Sequence, residues 1–366
     1  RRWTRNWYFL VRAANLRSGA KTSGWKLEIN TWLRPMSRVL CQMICKLFRF
    51  RGGSMSDSYK HITVLLNEAV DALVQDPGGI YVDCTFGRGG HSALVLERLN
   101  EKGRLIAIDK DPEAIAFAHQ RFADEPRFSI EHGSFSQLQS FIEARGLTGK
   151  ISGVLMDLGV SSPQLDDPKR GFSFQNDGPL DMRMDTTSGE SAADWVNRAS
   201  EKEIADVLFT YGEEKFGRRM AAAVFREREI EPITTTARLS SIIAEANPKW
   251  EKGKNPATRA FQGIRIHVNK ELEDVEQVLD QSLEVLAVGG RLAVISFHSL
   301  EDRIVKRFIR TYVKGDEHLP AGIPVTQDML NQRLKAIGKA VKAGKDEVSD
   351  NPRSRSAVMR IAEKLK

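Results

Sequence analysis

Short apolar segments alternate with helical patterns along much of this chain, and this alternation constrains the fold most strongly. Residues 92–99 have the apolar spacing of a helix, and Pro112 is suited to the first turn of another. Strands that alternate with helices are typical of a parallel sheet with helices on both faces. We therefore predict an α/β fold with a doubly wound sheet, whose first four strands are residues 79–83, 104–108, 128–130 and 151–156.

The alternation stops after Asp157. Residues 161–185 read as a loop, and four helical patterns without an intervening strand follow, at 192–197, 201–211, 216–228 and 236–246. A long helix is then predicted from Pro256 to about Leu286, a strand at 291–296, a flexible segment at 338–355 and a last strand at 356–362. We predict a core made of residues 55–160 and 259–366, interrupted by an all-helical insertion, 161–258.

Residues 1–54 differ in composition from the rest of the chain. They hold 12 Lys and Arg and one acid, whereas residues 55–366 hold 43 basic and 47 acidic residues. We interpret 1–54 as a basic tail of upstream or remnant sequence before a start at Met55; an organellar transit peptide is the alternative. The positive net charge invites a nucleic-acid-binding interpretation, but it belongs to the tail, so any nucleic-acid affinity of the body must come from local patches.

The overall composition excludes several classes of protein. Three cysteines, Cys41, Cys45 and Cys84, form neither a disulfide framework nor a metal-ligand spacing, which favours a reducing compartment, the cytoplasm, and no metal site. No run of 18 apolar residues is present, so no membrane span is expected.

A glycine turn between the first strand and its helix predicts a nucleotide-like cofactor. It includes Gly89 and Gly90, and Asp109 ends the next strand, where a carboxylate can accept hydrogen bonds from a ribose diol. Ser92 stands where a dinucleotide fingerprint has its third glycine, and Asp83 precedes the turn, where it could meet a cationic amino-acid group, directly or through water. These two details favour S-adenosylmethionine over a nicotinamide dinucleotide.

Acids end three strands of the predicted sheet. Asp83, Asp109 and Asp157 each follow an apolar strand. Because ligands collect at the carboxyl ends of the strands in an open α/β sheet, we expect the three carboxylates along one rim.

Several long motifs in this sequence resemble those of the 16S rRNA (cytosine-N4)-methyltransferase family, also called RsmH or MraW. The resemblance runs from about Tyr59 to Ala362 and leaves residues 1–54 outside. The motifs include KHITVLL at 60–66, TFGRGGH at 85–91, DLGVSSPQLD at 157–166, RGFSF at 170–174, DGPLDMRMD at 177–185, PATRAFQ at 256–262, SFHSLED at 296–302 and NPRSRS at 351–356.

The resemblance implies a Rossmann-like class I methyltransferase that uses S-adenosylmethionine and acts on 16S rRNA in the small ribosomal subunit. Its target would be one cytidine of the decoding region, C1402 in conventional rRNA numbering, with the helical insertion recognising the substrate. The implied cofactor contacts are Gly89, Gly90, His91, Asp109, Phe135, Asp157 and Gln164.

Methyl transfer to the cytosine amine needs alignment and acceptors for the amine N–H groups. Asp157 and the following Ser161 and Ser162 are the catalytic candidates, at the position where amino-methyltransferases carry a different loop. Asp157 as a pure cofactor ligand is the alternative. The target base must leave its stack, and the candidates for stacking on it or for contacting phosphates are Arg170, Phe172, Phe174, Arg259, Arg265, Arg353 and Arg355.

Two other classes of function are weighed against this one. The first is a methyltransferase of a small molecule or of a DNA amine, and the second is an RNA-binding assembly factor that retains the fold without activity. The three strand-end acids argue against the second class, since a decayed site would tend to lose them. The sequence leaves open whether the protein is a homodimer.

Overall fold

The computed structural model describes residues 63–250, 255–315 and 330–366, which all lie in the unit His61–Lys366. The predicted tail and the first three residues of the motif at 60–66 lie outside the described residues. Within them, eight strands form one sheet: β1 Ile80–Asp83, β2 Arg104–Asp109, β3 Phe128–His132, β4 Ile151–Asp157, β5 Leu286–Ser296, β6 Leu334–Ala336, β7 Val341–Lys342 and β8 Val358–Lys364.

The strand order in the sheet is β3-β2-β1-β4-β5-β8-β6, with β7 also paired to β8. The first five strands of this order are parallel, whereas β8 runs antiparallel to β5. The chain moves outward from β1 to β3 and then returns to place β4 on the other side of β1. The direction of winding therefore changes between β1 and β4, where such sheets form a ligand crevice. The predicted doubly wound α/β fold is confirmed.

Helices cover both faces of this sheet. On one face α1 (Leu66–Leu73) and α2 (Gly90–Arg98) pack with Tyr81 and Leu155. On the other, α4 (Leu138–Glu143), α11 (Glu271–Val285) and α12 (Ser299–Lys314) pack with Val82, Val154 and Val294. The central strands read as continuous apolar runs because both of their faces are buried.

The connection between β4 and β5 is helical. Its elements are α5 Ser162–Asp166, α6 Ala192–Arg198, α7 Glu201–Thr210, α8 Gly217–Ile230, α9 Thr236–Ala246 and α10 Ala257–Asn269, after which α11 returns to the sheet. A separate hydrophobic cluster joins them, with Trp195, Met220 and Leu239 in its interior. This cluster continues into α10 through Phe261 and Ile264.

Two local predictions are wrong. The helix expected from Pro256 to Leu286 is two helices, because Lys270 adopts a left-handed conformation with φ of 54° between α10 and α11. The segment expected to be flexible, 338–355, contains β7 and helix α13 (Lys345–Asp350) and leads into a 3₁₀ turn, Pro352–Ser356. It is ordered by pairing with β8 and by the Leu65 N–H, which donates to Glu347 Oε1 at 2.7 Å.

The remaining α-helix of the described residues is α3, Pro112–Arg121, between β2 and β3. Pro112 occupies its first turn, and the side chain of Asp111 accepts a hydrogen bond from the Glu113 N–H as its N-cap. None of the helices within the described ranges is long and apolar enough to cross a membrane.

Candidate active site

A cavity of about 540 Å³ opens at the carboxyl ends of β1, β2 and β4, where the winding direction changes. A volume of this size is typical of a site for a cofactor or a small ligand. Eleven of the predicted site residues line it: Gly90, His91, Asp109, Phe135, Asp157, Ser161, Ser162, Gln164 and Arg265, together with Arg353 and Arg355 from the 3₁₀ turn before β8.

The glycine turn brings backbone close to this cavity. Gly87 and Gly89 have φ of 56° and 66°, a conformation that side-chain-bearing residues rarely adopt, and Gly89 caps helix α2. Gly89 itself does not line the cavity, whereas Gly90 does. A Cβ at Gly90 would lie 1.9 Å from Thr63 Oγ1, so this position requires a glycine.

Asp109 is held at the end of β2 by two backbone donors. The Gly87 N–H donates to Oδ2 at 2.7 Å, and the Asp111 N–H donates to Oδ1 at 2.9 Å. Burial raises the pKa of Asp109 to about 6, against these hydrogen bonds, which lower it. Each carboxylate oxygen retains one acceptor position, so a diol facing the cavity can donate to both.

Asp157 ends β4 with one oxygen lacking a donor. Thr85 fixes its backbone, since the Asp157 N–H donates to Thr85 Oγ1 at 2.6 Å. Oδ1 is buried and has no hydrogen-bond partner among the described residues. Burial, with the nearby charges of Asp83 and Glu301, raises the pKa of Asp157 well above its usual value. A cation or an N–H donor in the cavity would relieve this carboxylate.

His91 lies beside Asp157 on helix α2. Its Nε2 is 3.2 Å from the Val64 carbonyl oxygen, and its Nδ1 is 3.7 Å from Asp157 Oδ2. Because a carbonyl oxygen accepts only, this Nε2 must carry a proton for a hydrogen bond to form. Nδ1 is the ring nitrogen that faces Asp157, at a separation longer than a hydrogen bond.

Asp83 occupies a position different from the one predicted. Its carboxylate is buried behind the glycine turn, where Oδ2 accepts from Ser92 Oγ at 2.6 Å and Oδ1 accepts from the Thr85 N–H at 3.1 Å. It does not line the cavity. Burial raises the pKa of Asp83, and its two hydrogen bonds hold the glycine turn. Direct contact with a cofactor is therefore not its role.

A buried network joins Gln164 to the rim of the cavity. Gln164 accepts from the Ser161 N–H through Oε1 at 3.0 Å and donates from Nε2 to Asp111 Oδ2 at 2.7 Å. Arg170 Nη1 donates to the same Asp111 oxygen at 2.8 Å. Gln164 thus orients the loop after β4 as well as facing the cavity.

The aromatic wall is formed by Phe135, which is partly buried after β3. Lys110 Nζ lies 5.7 Å from its ring centroid and pairs with Asp274 Oδ2 at 2.8 Å. A planar base could stack on the exposed part of this ring.

Two of the predicted RNA contacts, Arg170 and Phe172, are buried, which corrects the prediction, and Phe174 is partly buried. Arg170 is buried against Asp111, and its Nη2 donates to the Met184 carbonyl oxygen at 2.9 Å. Phe172 is 5% exposed in the helical cluster, and Phe174 packs against Phe261 with ring centroids 4.8 Å apart. Burial removes Phe172 from a stacking role, whereas part of Phe174 remains exposed.

The remaining arginines differ in their surroundings. Arg353 and Arg355 are exposed at the mouth of the cavity, where Arg353 pairs with Asp166. Arg265 forms part of the wall and is fixed by two hydrogen bonds to Glu271, at 2.8 and 2.9 Å. Arg259 lies on α10 outside the cavity lining and has interactions of its own.

Three features of the cavity fit S-adenosylmethionine: the diol acceptors of Asp109, the acidic side chain of Asp157 for a cationic group, and the Phe135 ring for the base. Across the described ranges there is no cluster of residues that could hold a metal ion. With the doubly wound sheet and its glycine turn, this arrangement defines the class of Rossmann-like methyltransferases.

Comparisons with known proteins identify the family. The model of the MraW methylase family matches residues 58–365. The ribosomal RNA small subunit methyltransferase H of Chromohalobacter salexigens is 57% identical over 307 residues, which are 84% of this chain and 92% of that protein. The chain therefore belongs to the MraW methylase family, as its motifs indicated, and is a methyltransferase that uses S-adenosylmethionine.

Solved structures are more distantly similar. An rRNA methylase from Streptococcus thermophilus is 13% identical with a TM-score of 0.33, covering 81% of this chain and 92% of that one. An S-adenosylmethionine-dependent O-methyltransferase from Thermotoga maritima is 10% identical with a TM-score of 0.35, covering 88% and 71%. At these scores neither likeness bears on function.

Sequence reasoning missed Asp111 and Lys110, which both line the cavity. Asp111 was detectable, because an acid directly before a proline that begins a helix is a typical N-cap. For Lys110 no local signal exists, since its partner Asp274 is 164 positions away.

Proposed function

We propose that this protein methylates the N4 amine of one cytidine, C1402, in the decoding region of 16S rRNA within the small ribosomal subunit. The observation that carries the proposal is a cavity with the Asp157 carboxylate in its lining and arginines at its mouth. An amine nucleophile needs the carboxylate as a hydrogen-bond acceptor, and the phosphates of an RNA chain need the arginines as cations. The relative from Chromohalobacter, named as a small-subunit rRNA methyltransferase, supports the same substrate.

The bound cofactor supplies a methyl group on a positively charged sulfur. The protein has to orient the amine in line with that group and to receive a proton, because the lone pair of cytosine N4 is conjugated with its ring. The Asp157 carboxylate lines the cavity and is our candidate acceptor for an N–H of this amine and for the proton that leaves it. We assign this role to Asp157, with Ser161 and Ser162 orienting the base from the adjacent wall.

Phosphates of the flipped nucleotide meet the mouth of the cavity in this proposal. Arg353 and Arg355 lie there on the 3₁₀ turn, and Arg265 presents its guanidinium from α10. Within the described residues Arg355 has no carboxylate partner. An arginine without a carboxylate partner can bind a phosphate without first giving up an ion pair.

We also propose that the helical segment 161–258 selects the substrate. Besides the two serines, Leu165 lines the cavity from this segment, as does Met184. The segment therefore forms part of the cavity wall, which a base entering the cavity would touch.

The test is to incubate the protein and S-adenosylmethionine with small subunits whose 16S rRNA lacks the modification. The RNA is then digested and its nucleosides are identified by mass spectrometry, with the modified fragment mapped. N4-methylcytidine at one position is expected. Methylation of free cytidine or of DNA in preference to the subunit would refute the proposed substrate, and a product methylated at carbon or at another base would refute the proposed amine chemistry.

A matched pair of variants connects the product to the site. Asp157→Asn keeps the shape of the side chain but removes the charged acceptor, whereas Asp166→Asn changes a neighbouring exposed acid that pairs with Arg353. Loss of N4-methylcytidine in the first variant and its retention in the second are expected.

A further inference from the structure

A second depression lies on the sheet edge that carries β6, β7 and β8. Its volume is about 200 Å³, and its floor includes Ile309. Four cationic side chains surround it, two from α12, one from the loop between β6 and β7, and one from β8. We refer to Lys306, Arg310, Lys339 and Arg360 together as the edge patch.

The edge patch lies in the most basic part of the described chain. Residues 299–315 and 330–345 together hold ten Lys and Arg and two acids. Arg360 is paired with Asp302, at 2.7 and 2.9 Å. Lys306, Arg310 and Lys339 are exposed and have no carboxylate partner among the described residues.

This accumulation of charge is not a consequence of composition, because residues 55–366 carry more acids than bases. Like charges that surround one depression repel each other, and a bound polyanion would relieve this repulsion. Lysines are depleted at protein–protein interfaces, whereas they are common contacts to nucleic-acid backbones. The chemistry therefore favours a phosphodiester chain.

The depression is close to the cavity along the chain. Arg355 at the mouth of the cavity and Arg360 in the edge patch are five residues apart, and a chain of that length spans at most about 17 Å. One strand of RNA can therefore pass from the first site to the second.

We propose that the edge patch binds the phosphodiester backbone of the substrate RNA beside the methylated nucleotide. This inference rests on the proposed function, since it assumes an RNA substrate. The patch contributes to affinity and does not take part in methyl transfer, because its residues lie on α12, the edge loop and β8, outside the cavity lining.

The experiment compares two triple variants that each remove three positive charges. The test variant is K306Q/R310Q/K339Q. The control is K102Q/K150Q/K366Q, whose exposed lysines precede β2 and β4 or follow β8, at the end of the sheet opposite the cavity. Binding to a 16S rRNA transcript is measured over a range of salt concentrations, and kcat and KM are measured for small subunits.

For the test variant we expect Kd and KM to rise about tenfold with kcat unchanged, and the slope of log Kd against log salt to fall by about two to three. The control should match the wild type. The charge-retaining variant K306R/R310K/K339R should restore binding. Calorimetry with S-adenosylhomocysteine checks that all variants keep an intact cofactor site.

Several outcomes would overturn the inference. A test variant that behaves like the control shows that the patch does not touch RNA. Weaker binding to subunits with unchanged binding to the transcript would assign the patch to a protein partner. A fall in kcat at unchanged KM would assign it to the reaction. If the wild type itself makes no N4-methylcytidine, the proposed function fails, whereas the binding comparison with the transcript still decides the role of the patch.

Discussion

Lowering the pH should weaken cofactor binding through Asp109. Its pKa is raised to about 6 by burial in the free protein. Ribose hydroxyls donate to the ionised carboxylate, so binding favours the charged form and is lost as the pH falls through that value. About 97% of this group is ionised at pH 7.5 and about 9% at pH 5.0, which predicts an affinity about tenfold lower, or about 1.4 kcal/mol.

Calorimetry can assign this pH dependence to Asp109. S-adenosylhomocysteine and adenosine both contain the diol, but only the first carries the amino-acid group expected near Asp157. A pH effect that both ligands share would be due to the titration of Asp109, which accepts hydrogen bonds from the diol. Asp109→Ala should weaken binding by about 1.5–3 kcal/mol and remove the common effect, with thermal unfolding as the check on the fold. Equal affinity for both ligands at pH 7.5 and 5.0 would refute the reasoning, as would an unchanged pH profile in the variant.

Three further substitutions test the site. Asp157→Asn should lower kcat by a factor of about 10²–10⁴ with a smaller change in cofactor Kd. Single-turnover kinetics measures the first effect and calorimetry the second. The ratio of the two effects separates proton acceptance from cofactor binding. Gly90→Ala should cost about 1–3 kcal/mol in stability or cofactor binding, because its Cβ would overlap Thr63 Oγ1; unaltered denaturation and calorimetry would contradict this packing. Arg170→Met should lower the free energy of unfolding by about 3–5 kcal/mol, because it leaves Asp111 buried without its cation, and the matched surface change Arg198→Met should cost less than about 1 kcal/mol in the same urea titration.

The strand-end positions could be predicted from the sequence because they follow from a rule of the fold. An apolar strand followed by an acid places that acid at the carboxyl edge of a parallel sheet, whatever its distant neighbours are. Asp109 and Asp157 were placed in this way, and both line the cavity. The glycine turn was predictable for a similar reason, since its backbone conformation depends on local sequence.

The burial and the partners of individual side chains could not be predicted in the same way. Arg170 and Arg355 are the same residue type in polar loops, yet the first is buried and the second is exposed. What decides is a partner, Asp111, 59 positions before Arg170, and no local pattern reveals it. Lys270 likewise looks like an ordinary helical lysine until its backbone turns left-handed between two helices.

Helix α10 links the helical segment to the cofactor rim, and this determines which experiments can separate their roles. Phe261 and Ile264 pack in the helical cluster, while Arg265, one residue further, forms part of the cavity wall. At the end of the helix the Asn269 carbonyl oxygen accepts from Lys110 Nζ at 3.2 Å, directly beside Asp109. Replacing the helices 191–246 would leave the apolar face of α10 without its partners, so cofactor binding would be lost together with substrate selection. Because packing couples the two sites through one helix, surface substitutions separate substrate recognition from cofactor binding, and deletions do not.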